Sequence, residues 1–580
     1  MNDDCKSGGV FRRILQRTRS MFTGRTAATP AVGIGTAAGA GAAAGATVRE
    51  VAAATAAPGS TPSAGELINE GLRQRQQVGA AAAQPYFERA AVLEPNSPVP
   101  WFMLGNVASE LGELDVAVAH YAHARDLNPS DHVIRYNLGL NQLSRGYIDA
   151  AIEELRAACV LNPSYLQAQS SHIVALLSSD RVSPEEIATM IREWGARFSL
   201  EHPAPAPFAM SSGTGHPDRL RVGFVSGDFR THSVAHFFEP IMSARNRGAF
   251  TYVLYNNFHL QDAVTQRLRA YADDWRDVWR LADEALIELI RADGIDILVD
   301  LSGHTASNRL AVFARRAAPV QISYLGYPAS TGLTTMDYRI TDAVTDPPVP
   351  ADAWHSERLL RLPDAQWCFR PFGTPATPGP LPARTAAFVT FGGFNNLTKV
   401  SDTLLTCWVQ ILVELPGSHL RLTRVRSPQR AAEIVALFAR SGVTPDRVEF
   451  VPYADDPPYG QQFEGVDIAL DNYPYNGVTT TCESLYFGVP VISLYGRNGV
   501  SRSGLSLLGA LGLGELTAST PEQYVEIAVA LGSDLSRLEQ LRASLRARFE
   551  KSSLRDERRF AANFEELLRT AWRRHLDAPS

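Results

Sequence analysis

Residues 95–129 read PNSPVPWFMLGNVASELGELDVAVAHYAHARDLNP, and residues 129–163 read PSDHVIRYNLGLNQLSRGYIDAAIEELRAACVLNP. Aligned on each other, they place Pro95, Pro129 and Pro163 at steps of 34 residues, and Gly105 and Gly139 keep that step. So do Phe87, Tyr121 and Leu155, and Leu93, Leu127 and Leu161. Within each period an aromatic-rich half precedes an Ala-rich half. That pattern describes pairs of antiparallel helices that bury their apolar faces only by stacking on the next pair. The aromatic positions are read first as packing residues.

The period is that of tetratricopeptide repeats. Residues 80–95 read as the second helix of a partial repeat, two whole repeats follow, and residues 164–178 read as a helix that ends the stack. Repeats and linking helices are assigned to residues 66–200. Such a solenoid holds an extended partner, here a protein or peptide chain, so the chemistry is sought further on.

Bulk composition narrows the class. Of 580 residues, 45% are hydrophobic and 20% charged, and 55 basic against 61 acidic side chains give a net charge of −6. A nucleic-acid binder would show a clustered basic excess, so no nucleic-acid partner is expected. Cys5, Cys159, Cys368, Cys407 and Cys482 include no CxxC pair, which points away from zinc and redox chemistry and towards a reducing, cytoplasmic setting. Residues 1–65 are set apart as a low-complexity tail. Its run AVGIGTAAGAGAAAGATV (31–48) is uncharged but mostly Ala and Gly, so a disordered tail is read in preference to a signal or membrane segment, and no membrane partner is expected.

After a Pro-rich linker at residues 201–208 the periodicity changes. Strand-like runs at 219–226, 295–302 and 320–326 alternate with helical stretches such as 281–293. A second alternating block starts near 385, with strand signals at 387–392, 418–423, 448–452, 467–471 and 490–494, and charged helix at 535–575 closes it. Strand–helix alternation implies a parallel doubly wound sheet. The fold class is therefore α + α/β: a helical solenoid followed by two Rossmann-like domains, at 216–380 and 385–580.

Three segments carry the chemistry. The stretch Asp471-Asn-Tyr-Pro-Tyr-Asn-Gly-Val-Thr-Thr-Thr-Cys-Glu-Ser-Leu runs from a strand end through a turn into a helix starting near Thr480. A helix start offers N–H groups and a positive dipole end to phosphate, and Thr479, Thr480 and Thr481 add hydroxyls. The spacing of Thr480 and Glu483 also fits a capping box, and both readings can hold together. In Phe394-Asn-Asn-Leu-Thr-Lys-Val a lysine follows a strand closely, and lysine occurs only at 6, 399 and 551. Lys399 is placed to neutralise a diphosphate as a point charge, against the plainer reading of a solvated surface residue. His232 and His236 follow one strand and His304 another, and strand C-termini in doubly wound sheets face the ligand crevice. A neutral histidine there could take a proton from a hydroxyl acceptor, although a lone histidine is often structural. No Asp-x-Asp occurs, so a leaving group held by lysine and a helix end, without metal or other cofactor, is expected.

The segments 221–236, 298–346, 394–400 and 467–490 together resemble the SPINDLY-type protein O-GlcNAc transferases, which join tetratricopeptide repeats to a split GT-B catalytic region. The resemblance runs from about residue 80 to 575. It implies inverting transfer of GlcNAc from UDP-GlcNAc to Ser or Thr of proteins. In the family the lysine matched by Lys399 contacts the diphosphate, and the histidine matched by His232 is a base or a positioning group. The threonines matched by Thr479 and Thr480 hold the diphosphate, and the acid matched by Glu483 contacts the nucleotide sugar. Donor-binding residues are accordingly assigned at His304, Pro328, Asn395, Asn396, Asn476, Gly477, Thr479, Thr480, Thr481 and Glu483, with His232 and Lys399 as catalytic residues and no metal site.

There are departures from the animal-type pattern. Val478 stands where those enzymes carry a histidine, and Tyr459 and Asp456 replace a histidine and lysine near the base. Here the chain follows the plant pattern, so protein O-fucosyl transfer from GDP-fucose stays open as an alternative. A non-catalytic repeat protein and a lipid or small-molecule acceptor are further alternatives. Homo-oligomerisation is left open.

Overall fold

The computed structural model describes residues 62–203, 219–373, 377–451 and 460–577. Residues 1–61 of the assigned tail and the positions of Asp456 and Tyr459 lie outside them, and the last two residues of that tail already belong to a helix. Eight helices come first: α1 (Ala64–Gln77), α2 (Ala80–Leu93), α3 (Pro98–Glu110), α4 (Leu114–Leu127), α5 (His132–Arg145), α6 (Ile148–Leu161), α7 (Leu166–Leu176) and α8 (Pro184–Glu201). The 34-residue pairs are thus α1–α2, α3–α4 and α5–α6.

The expected partial repeat is a complete helical pair. α1 carries its own capping box, with Ser63 and Glu66 satisfying each other's backbone N–H. The step that identifies it is glycine: Gly71 precedes Gly105 by 34 residues. At each of these positions the second helix of the pair comes too close for a side chain. A Cβ on Gly71 would lie 2.5 Å from Phe87, on Gly105 2.6 Å from Tyr121, and on Gly139 2.8 Å from Leu155.

Two parallel sheets follow. The first holds β1 (Leu220–Ser226), β2 (Phe250–Asn256), β3 (Asp274–Asp277), β4 (Ile297–Asp300), β5 (Val320–Ser323), β6 (Tyr338–Asp342) and β7 (Arg358–Leu362), in the order β3-β2-β1-β4-β5-β6-β7. The second holds β8 (Thr390–Gly393), β9 (His419–Thr423), β10 (Val448–Val451), β11 (Ile468–Leu470), β12 (Val491–Leu494) and β13 (Thr517–Ala518), in the order β10-β9-β8-β11-β12-β13. Each sheet therefore reverses direction once, between β1 and β4 and between β8 and β11. In open α/β sheets the crevice at such a reversal is where ligands bind.

The closing helices divide between the two halves. Leu538, Leu541, Leu545 and Phe549 of the helix Leu535–Lys551 join the core of the second sheet. Phe560, Phe564, Leu568 and Ala571 of the last helix, Glu557–Leu576, instead pack with Phe224, Tyr252 and Tyr324 of the first. The chain end thus belongs to the first half, because its apolar stripe matches the face that β1, β2 and β5 leave to be covered. Among the described residues no helix is long and apolar enough to cross a membrane.

Candidate active site

The loops that leave β8 and β11 meet at the reversal of the second sheet. After β8 the chain runs through Asn395 and Asn396 into a 3-10 turn, Leu397–Lys399, where the Asn396 side chain accepts from Thr398 N at 3.1 Å. After β11 comes Asp471, whose carboxylate accepts from Gly477 N (2.8 Å), Asn472 N (2.9 Å) and Ser493 Oγ (2.7 Å). The two loops are stitched together by Ser401 N donating to Tyr473 O. Burial pushes Asp471 up to about 6, against the pull of Ser493, the two backbone N–H groups and Lys399.

Lys399 is half-buried and lies deep in this corner, its Nζ 4.0 Å from the centre of the Tyr475 ring. Desolvation lowers it to about 8, while the Asp471 carboxylate works the other way. A half-buried ammonium with one carboxylate nearby retains capacity for a further anion.

The helix Thr479–Tyr486 begins beside it. The expected capping box does not form: Val478 is the cap residue and no side chain caps the helix. The Thr480 hydroxyl instead donates across to Asn395 Oδ1 at 3.0 Å, tying the helix start to the Lys399 loop, and Thr481 Oγ1 donates to Gly477 O. An uncapped start leaves N–H groups for a ligand. Gly477 makes the turn tight enough: a Cβ there would lie 2.8 Å from Asn395 Nδ2 and 3.1 Å from Asp471 Oδ1. Asn476 is buried with its amide donating to Asn472 O and Leu494 O, so it shapes the loop from behind.

The first sheet supplies the opposing wall. His232 caps the helix Ser233–Ala244, its Nδ1 accepting from Val234 N at 3.3 Å, with Asp228 Oδ1 3.5 Å away. Burial lowers its pKa, partly offset by Asp228. One turn on, His236 stacks on Phe372 at 3.6 Å and donates Nδ1–H to Arg370 O at 2.7 Å. Its Nε2 lies 4.0 Å from Glu483 Oε1, so the two halves meet here, and burial holds this ring down at about 4.

The third histidine, His304, has different partners from His232 and His236. His304 is buried, with Nδ1 paired to Ser170 Oγ (2.7 Å) and Nε2 to Thr331 O (3.0 Å), and its ring meets Trp194 of α8 edge-on at 4.3 Å. Both nitrogens are engaged at the seam between solenoid and first sheet, so packing accounts for this residue. Pro328 is half-buried in the loop after β5. Among the described residues, no group of three or more His, Cys, Asp or Glu is placed to hold a metal ion.

Two doubly wound sheets, their direction reversals facing each other behind helical repeats, define a repeat-bearing protein of GT-B architecture. Comparison with known proteins carries this to a family. The chain belongs to glycosyl transferase family 41, which matches residues 196–368 and 381–564. It is 37% identical over 425 residues to the probable UDP-N-acetylglucosamine–peptide N-acetylglucosaminyltransferase SPINDLY of Petunia hybrida, covering 72% of this chain and 45% of that protein. To the probable enzyme of the same description called SEC in Arabidopsis thaliana it is 31% identical, covering 66% and 40%. A solved O-GlcNAc transferase of Thermobaculum terrenum, in a lysine-to-methionine mutant form, matches with a TM-score of 0.79 at 34% identity, over 88% of this chain and 97% of that one. The chain spans about half the length of the curated relatives it matches, 45% for the first.

Proposed function

We propose that the protein transfers GlcNAc from UDP-GlcNAc to Ser or Thr hydroxyls of proteins with inversion, the solenoid collecting the acceptor chain. The observation that carries this reading is Lys399 beside the uncapped start of the helix Thr479–Tyr486, at the reversal of the second sheet. The acceptor oxygen bonds to the anomeric carbon as the bond from the sugar to the diphosphate breaks, and the hydroxyl proton passes to the departing diphosphate, on which the charge collects. Lys399, the helix N–H groups and the Thr479 and Thr480 hydroxyls are the groups to receive it. Asn395, Asn396 and Gly477 hold those groups in register, Thr481 and Asn476 fix the turn, and Glu483, beside His236, is assigned to the nucleotide sugar. Pro328 is assigned to the donor-facing loop of the first half. His232 is assigned to the acceptor side: with Nδ1 occupied by Val234 N, the neutral ring carries its proton on Nε2 and holds an oxygen rather than taking a proton.

Val478, in place of the histidine of animal-type enzymes, is the observation that favours the second donor, GDP-fucose. Intact-mass analysis of acceptor proteins incubated with either donor, beside Lys399→Ala, separates the two. A HexNAc increment lost in the variant supports the first reading, and a deoxyhexose increment the second. No increment with either donor, with nucleoside diphosphate still bound, would favour a non-catalytic repeat protein. Since protein groups meet the leaving charge, turnover is expected to survive excess EDTA, and its loss would remove that part of the reading.

A further inference from the structure

Among the places where the solenoid touches the second sheet's half is the turn that carries Lys399. α5 ends at Gly146, a left-handed residue at φ 86°. A Cβ there would stand 2.7 Å from Leu397 Cβ and 3.2 Å from Leu397 O. Leu397 is buried and opens the 3-10 turn whose last residue is Lys399. The repeat arm therefore rests directly on the backbone that aims the ammonium.

The contact is held in place on both sides. Arg145, 5% exposed, donates Nε–H to Asp115 Oδ1 at 2.6 Å and Nη2–H to Gln429 Oε1 at 2.8 Å. Asp115 reaches across to the second half, accepting from Ser427 Oγ (2.6 Å) and Gln429 N (3.1 Å) at the start of the helix Pro428–Arg440. Burial works against its charge, but the Ser427 hydroxyl, the Gln429 N–H and Arg145 hold the carboxyl below its usual value. Tyr147, just past Gly146, donates its hydroxyl to Glu433 Oε2 at 2.7 Å, between Arg145 and Arg430 at 4.6 and 4.9 Å from its ring. A contact tied by a paired buried Arg, a carboxylate at a helix start and a phenol has little freedom to slide.

We propose that Gly146, clamped by Asp115, Arg145 and Tyr147, is a positioning element for Lys399, so that the repeat arm sets the diphosphate site as well as collecting acceptors. This rests on the reading of Lys399 as the diphosphate ligand. A ligand-free arm would leave donor binding alone when altered; a positioning arm would not.

The test is calorimetric affinity for UDP and GDP, measured on the full chain between pH 6.5 and 9.5 for wild type, Lys399→Ala, Gly146→Ala and Tyr147→Phe, with melting curves for each. For the tighter nucleotide, Gly146→Ala is expected to lose at least half, on a logarithmic scale, of what Lys399→Ala loses. Its high-pH fall in affinity should also move up from the wild-type midpoint as Lys399 gains solvent. Tyr147→Phe, which deletes one hydroxyl, should fold as wild type and show the same change at two- to fivefold. Unchanged affinity and midpoint in both folded variants would overturn the proposal, even if acceptor transfer fell. Should Gly146→Ala fail to fold, Tyr147→Phe decides alone. A wild type whose affinity Lys399→Ala does not alter would instead fail the reading of Lys399, and the proposal with it.

Discussion

Desolvation brings the Lys399 ammonium to about 8, within the range where an enzyme is assayed. With its charged form proposed to meet a diphosphate, kcat/KM is expected to fall as pH rises through about 8, the limb reporting the free enzyme. Lys399→Ala should remove that limb and lower kcat by about 10²–10³, the scale of losing one preorganised electrostatic group. A limb that persists in the alanine variant would assign it elsewhere. At His232 the hydrogen bond from Val234 N sets a second expectation. If the ring offers a proton from Nε2, His232→Gln, which keeps a donor, should retain clearly more activity than His232→Ala. Equal loss in both, with an acid limb abolished, would return the ring to the role of base.

At the scale of elements, the helix Thr479–Tyr486 depends on one turn. Gly477→Ala puts a methyl group against Asn395 and Asp471, and the turn must open to admit it. UDP affinity is expected to fall at least tenfold, equivalent to about 1.4 kcal/mol, with the melting temperature shifted little because the core behind the turn is untouched. Unaltered affinity would mean that the helix start is not the diphosphate site. The sequence made this turn readable, since strand end, Gly and Thr run together, but it misdirected the cap. T-x-x-E spacing shows which residues can reach a helix start, whereas the partner Thr480 takes is Asn395, 85 residues away and visible only once the sheet is folded. β3, Asp-Trp-Arg-Asp at an exposed edge, and the two-residue β13 carry too little apolar alternation to be read. β2 (Phe250–Asn256), buried along its whole length, was not among the strands read, although its run is apolar and aromatic. The first helical pair was read only as a partial repeat, because its first helix carries no aromatic in step and is marked only by Gly71, the small residue on which the Phe87 ring packs. His304 followed a strand end as expected, yet a strand end can also meet a neighbouring domain, and here it meets α7 and α8.

For the whole molecule, the halves are joined by the chain's return as well as by the cleft. The helix Glu557–Leu576 leaves the second half and lays Phe560, Phe564 and Leu568 on the first sheet. Phe564 is fully buried, 6.5 Å from the Phe224 ring and 5.3 Å from the Tyr324 ring. Phe564→Ala removes a core aromatic and leaves a cavity, at a cost of about 3–5 kcal/mol. Set against net stabilities of about 5–15 kcal/mol, that is enough to release the first half early. Calorimetric melting should then resolve an earlier transition while UDP affinity, assigned to the second half, persists through it. Transfer should be lost at the temperature of that early transition, because His232, assigned to the acceptor side, leaves with it. If the variant melted in one wild-type-like step, the last helix would not belong to the first half's core. If UDP affinity vanished with the early transition, the nucleotide site would depend on both halves together, with the 4.0 Å approach of His236 to Glu483 as the contact to examine next.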